Sequence, residues 1–197
     1  MSISIQPISP RYNRDLLLSS PTPPDFLLFW GHTPAQDGSI TQSCLSQWWM
    51  ADFTFQGDRY CCMEQCMMAG KARLFGDAEM LEKIMASSDP HTIKKLGRQV
   101  RGFDQAIWET YKYALVMQGN VCKFAQNPAL KQFLLSTGDK ILVEASPYDR
   151  IWGIGLSAAD PRAQDPRQWR GRNLLGFALT EVREILRQSA QPSDAMP

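Results

Sequence analysis

The chain has 197 residues, 44% hydrophobic and 21% charged, and its 21 Lys and Arg against 20 Asp and Glu give a net charge of +1. That length fits one domain able to bury about 70% of its unfolded surface without a disulfide or metal staple. The charge balance creates no demand for a polyanionic partner, and no apolar window approaches the ~18 residues of a membrane span. Five cysteines, at 44, 61, 62, 66 and 122, form no paired framework and read as reduced thiols of a cytoplasmic protein. The N-terminus lacks the apolar core of a signal peptide.

Residues 1–25, with prolines at 7, 10, 21, 23 and 24, read as an extended arm or partly docked leader. FLLFW at 26–30 reads as a short buried strand. The period-two alternation of Met50, Asp52 and Thr54 against Ala51, Phe53 and Phe55 predicts a strand, with a second one beyond Gly57-Asp58. Helical signals then dominate. One helix is expected from about Cys61 to Leu74, and another over AEMLEKIMASS with Asp77 as its N-cap. A third covers DPHTIKKLGRQV, where Pro90 suits the first helical turn. The longest runs from Asp104 to about Phe124, with a weak point at Gly119.

NPALKQFLLSTG predicts a further helix with Asn127 as cap, Pro128 at the first position and Gly138 as the stop. KILVEA at 140–145 reads as a short strand. About 25 irregular residues rich in Trp and Gly follow, a pattern more often functional than idle. A final helix opens at Asn173, and the segment 188–197 reads as a polar tail. The expected architecture is mainly α, a compact helical domain with a few short β-strands.

The first long helix poses a question. Glu64 and Lys71 are seven residues apart, so they share one stripe within ~20°, two turns or roughly 10 Å apart. Met67 and Met68 lie between them, and the rest of the helix is oily apart from Gln65. One reading makes this stripe the solvated edge of a core helix. The other makes it a cleft in which a desolvated lysine becomes a nucleophilic amine and the glutamate shuttles a proton.

Other chemistries have less support. Cys61, Cys62 and Cys66 lack metal-ligand spacing, His32 and His91 are far apart, and no GxSxG is present. Gly153 and Gly155 lack the third glycine of a dinucleotide fingerprint and read as a loop turn. At Arg172-Asn173 a phosphate site and a plain helix cap are both open. Trp108 reads as either core or site, while Trp152, in the irregular loop, is the better candidate for stacking on a flat ring.

Four blocks, YCCMEQCMMAGKA, LGRQVRGFDQAIWE, KFAQNPALKQFLLSTGDKILVEASPYDRIWGIGL and WRGRNLLGFALTEVRE, together resemble the NADAR domain, the YbiA-like N-glycosidase family. The resemblance covers about residues 26–187 and implies a compact YbiA-like fold. It implies metal-independent hydrolysis, without a cofactor, of the bond between a ribose and a nitrogenous base. The substrates implied are small phosphoribosyl or ADP-ribosyl compounds: riboflavin-pathway ribosylaminopyrimidine phosphates, or ADP-ribosylated guanine, with nucleic acid entering only in that form.

The family's glutamate matches Glu64 and its lysine Lys71; its helix tryptophan matches Trp108, and its acidic loop matches Asp149 and Trp152. The resemblance thus implies Glu64, Lys71 and Asp149 as catalytic, with Trp108, Trp152 and Gly153 against the substrate. Arg98, Arg172 and Asn173 are the phosphate candidates. Gln65 and Cys66 stand where some members carry His and an aromatic, which bears on the substrate rather than on the Glu64–Lys71 pair. A competing class is a non-catalytic module holding NAD or ADP-ribose in the same cleft. A purely structural helical domain would instead leave Glu64 and Lys71 in open solvent.

Overall fold

The structure is a computed structural model, and it describes residues 5–189. Its elements are α1 (Arg14–Ser19), β1 (Phe26–Phe29), β2 (Met50–Phe55), β3 (Asp58–Cys62), α2 (Met63–Leu74), α3 (Ala78–Met85), α4 (Pro90–Gly97), α5 (Gln105–Gln126), α6 (Pro128–Ser136), β4 (Ile141–Glu144) and α7 (Leu174–Gln188). The fold is mainly helical. Among the described residues the strands make one parallel pair, β1 with β4, and one antiparallel hairpin, β2 with β3. No described helix is long and apolar enough to cross a membrane.

Helix α2 is the centre of the domain. It packs on α3, α4 and α5, while α7 packs on α5 and on β4. Nine of its twelve residues are buried, as expected for a helix that is apolar almost all round. The main core gathers Met63, Cys66, Leu115, Phe124 and Leu179. A smaller core on the other side of the β1–β4 pair gathers Leu17, Val143, Trp169 and Phe177.

Several local expectations give way to tertiary contacts. Cys61 and Cys62 belong to β3, because Cys62 pairs with Met50; α2 therefore starts at Met63. Within the described part of the leader, from residue 5 on, α1 forms with Asn13 as its cap. Leu17 is buried there, the Arg11 N–H donates to Glu181 at 2.8 Å, and the Tyr12 hydroxyl donates to Glu184. Trp30 falls outside β1 and is exposed.

Gly119 does not interrupt α5. A Cβ there would come within 2.5 Å of Met63 Cε, so the glycine lets α5 close on α2. Asn127 does not cap α6 with its side chain; its amide donates to the Asp52 and Lys123 carbonyls instead. The long irregular segment holds two short 3-10 turns, Pro161–Gln164 and Pro166–Gln168. Most of the expected polar tail lies outside the described residues.

Candidate active site

Strand β3 runs straight into α2, which sets Glu64 in the helix's first turn. The Glu64 N–H, left free by the helix start, donates to the Gln47 carbonyl at 2.9 Å. The residue is 3% exposed, and its Oε1 is sealed from solvent without a hydrogen-bond partner. Burial pushes its pKa up to about 7 and nearby Asp149 adds to the rise; Lys94, the Trp48 side chain and Arg98 oppose it. The shift toward neutrality suits Glu64 to both give and take a proton.

Two turns along, the Lys71 ammonium donates to the Gly97 carbonyl at 2.8 Å, one of the free carbonyls ending α4. It lies 4.2 Å from the centre of the Phe103 ring and 5.8 Å from that of Trp108. Burial lowers its pKa, which enlarges the neutral, nucleophilic fraction of the amine. This approach of α2 to α4 depends on Gly97, since a Cβ there would fall 1.9 Å from Met68 Sδ.

Glu64 and Lys71 line one cavity of about 300 Å³, with Met67 and Met68 between them on the same wall. Trp108, Trp152, Asp149 and Arg98 line it too. One Asp149 oxygen accepts the Ile151 and Trp152 N–H groups, each at 2.8 Å, and so folds the loop that carries Trp152. The Lys112 ammonium sits 5.8 Å from the centre of the Trp152 ring and is paired with Glu109.

Three sequence candidates are not brought to this cavity. Asn173 is fully buried: its Oδ1 accepts the Glu144 N–H at 2.9 Å and its Nδ2 donates to the Leu142 carbonyl at 3.0 Å. It ties α7 to β4 from a position closed to solvent, and it does not cap the helix with its side chain. Arg172 pairs with Glu109 at 2.7 Å and lines separate clefts. Gly153 is buried in the loop wall, where a Cβ would meet the Glu144 carbonyl at 2.8 Å; its role is close packing.

The cavity also holds groups that sequence reasoning missed. Glu144, at the end of β4, is a second glutamate beside Glu64 on this cavity, with Oε2 sealed and without a partner. Burial, together with Asp149 and Glu64, raises its pKa to about 8 against the pull of Lys94. Its only sequence signal is a carboxylate closing an apolar strand. Lys94 joins from α4, 5.5 Å from the centre of the Trp48 ring, and Gln47 and Trp48 join from the segment before β2. No periodic pattern marks those residues. His32 and His91 pack around Trp48, with ring centres 5.3 and 6.4 Å away. Among the described residues no group of three or more His, Cys, Asp or Glu could hold a metal ion.

A small helical domain with an aromatic-walled cavity, a desolvated lysine and two carboxyls that each keep one oxygen unpaired has the shape of a YbiA-like fold. The Escherichia coli YbiA structure superposes with a TM-score of 0.67, covering 87% of this chain and 92% of that one at 24% identity. Residues 28–187 match the NADAR domain, and the chain belongs to that family. It is 47% identical to N-glycosidase R617 of Acanthamoeba polyphaga mimivirus over 71% of this chain and 85% of the relative. It is also 34% identical to the chloroplastic riboflavin biosynthesis protein PYRR of Zea mays, over 55% of this chain and 16% of that protein. The chain is an enzyme of the N-glycosidase class.

Proposed function

We propose that the enzyme hydrolyses the bond between C1 of a phosphorylated ribose and an amino nitrogen of a pyrimidine-type base, through a Schiff base on Lys71. The observation that carries this reading is the meeting of Glu64 and Lys71 on one aromatic-walled cavity, with both pKa values moved toward neutrality by burial. Opening of the sugar ring turns the C1–N link into an imine, and the Lys71 amine adds to C1. Glu64 relays a proton from the Lys71 nitrogen to the departing nitrogen, the C1–N bond breaks, and a Lys71–C1 Schiff base remains. Water activated by Glu64 then adds to C1, freeing the amine and the sugar. One water is consumed; its hydrogen leaves with the base and its hydroxyl with C1.

Trp108 and Trp152 are suited to flank the flat base. Arg98 and Lys94, which both line the cavity, are suited to the sugar phosphate in place of Arg172 and Asn173. The riboflavin name of the maize relative supports an aminopyrimidine leaving group. A second reading, removal of ADP-ribose from guanine in nucleic acid, draws support from a cleft of about 390 Å³ lined by Arg14, Arg150, Arg170 and Arg172.

A side-by-side assay tests both. A ribosylaminopyrimidine phosphate and ADP-ribosylated guanine DNA are incubated with the enzyme, and the released bases are read by mass spectrometry. Borohydride with the better substrate is expected to leave a sugar adduct on Lys71. Absence of that adduct, with full turnover in Lys71→Ala, would sink the Schiff-base route. Tight binding without product would point to a binding module.

A further inference from the structure

The proposed reaction moves two separate protons, one onto the ring oxygen when the sugar opens and one onto the departing nitrogen. Both atoms are bonded to C1, so two acids beside one carbon serve them better than one carboxyl that must change places. The cavity supplies two. Glu64 comes from α2, beside Lys71, and Glu144 from the end of β4, each with one carboxyl oxygen sealed from solvent and without a partner. A carboxyl oxygen sealed from solvent without a partner disfavours the charged form, so each group is suited to carry a proton at the cavity wall.

The placement of Glu144 is built rather than incidental. Its N–H donates to Asn173 and its carbonyl accepts the Ile154 N–H at 2.9 Å, so α7 and the loop carrying Trp152 hold its backbone from both sides. Asp149, Glu64 and Lys94 are the charged groups acting on its carboxyl.

Resting on the Schiff-base reading, we propose that Glu144 is a second catalytic acid, which protonates the ribose ring oxygen during opening and recovers that proton on reclosure. In the forward step the C1–O bond breaks, the nitrogen lone pair forms the C1=N bond, and the Glu144 proton passes to the oxygen. After hydrolysis the sugar hydroxyl attacks the C1 aldehyde, its proton returns to Glu144, and the C1 oxygen takes the water proton held on Glu64, so both carboxyls end as they began. Burial supports the assignment, because it raises the Glu144 pKa and so favours the protonated form that an acid needs.

The test uses two sugars. Borohydride trapping on Lys71 is followed with the ribosylaminopyrimidine phosphate and with erythrose 4-phosphate, whose blocked C4 oxygen leaves its aldehyde open. Glu144→Gln is expected to slow trapping of the riboside ~10²-fold while leaving trapping of the open aldehyde at the wild-type rate. Equal trapping of the riboside by Glu144→Gln and wild type would overturn the proposal. An equal loss with both sugars would overturn it as well, since it would mark a general disturbance of the cavity. Failure of the wild-type enzyme to trap either sugar would instead overturn the Schiff-base reading on which the proposal rests.

Discussion

Two lysines on packed helices make opposite use of burial. Lys123, on α5, is fully buried; its ammonium donates to the Cys44 carbonyl at 2.9 Å and the Ser46 carbonyl at 3.0 Å. Lys71, on α2, is half-buried, donates to one carbonyl and borders the cavity. Burial lowers both pKa values, that of Lys123 to about 8. A depressed lysine pKa therefore reports desolvation rather than catalysis. Access to a ligand separates the two, and Lys123 has none. Its task is to anchor the turn at 44–46, next to the Gln47 carbonyl that receives the Glu64 N–H and the Trp48 ring that lines the site.

The sharpest way to break this contrast is to exchange the consequences of mutation. Lys71→Ala is expected to cut kcat by ~10³-fold or more, or about 4 kcal/mol of barrier, with little change in Tm. Steady-state assays beside thermal melts check it, and a variant that instead unfolds would make Lys71 structural. Lys123→Met should behave in the reverse sense. It strands two inward-facing carbonyls and should lose about 2–4 kcal/mol in urea unfolding, while the folded fraction still forms the borohydride adduct.

Lys123 also carries a pH signature. Its folded pKa lies below the unfolded value, so from about pH 8 upward the unfolded chain binds more protons than the native one. Its contribution to stability therefore grows as pH rises from 8 toward 10, and is lost again as pH falls from 10 to 8. Cys44, pushed by burial to about 11, works the other way above pH 9. The clean measurement is the difference between wild-type and Lys123→Met unfolding free energies across pH 7–9. A flat difference would contradict the buried, depressed lysine.

Smaller effects bound the comparison. Asn173→Ala should cost about 1–3 kcal/mol, because β4 loses two buried hydrogen bonds. Its KM for a phosphorylated substrate should hold; a large rise in KM would return Asn173 to phosphate binding. Arg172→Ala, which removes a mostly exposed ion pair with Glu109, should change stability by less than ~1 kcal/mol and leave KM alone.

The elements most legible in the sequence are those whose cause is local. The period of α5, the Asp77 cap of α3, which accepts the Met80 N–H, and the proline opening α4 all follow from neighbours a few residues away. Asn127 and Asn173 show where that logic stops. Each stands before a helix, as the capping rule asks, yet each side chain is taken by backbone from another part of the chain. Cys61 and Cys62 fit a helix by composition, but pairing with β2 keeps them in a strand.

By itself, the sequence determined that Glu64 and Lys71 share one stripe of an oily helix, since seven residues make nearly two whole turns whatever surrounds them. Only the tertiary structure decided that the stripe faces a cavity rather than solvent, and that Glu144, Lys94 and Trp48 join it from β4, α4 and the segment before β2. Desolvation and charge–charge coupling sum over whatever lies within a few ångströms in space. No spacing along the chain encodes that sum until α4, β4 and the loop of Trp152 have closed around α2.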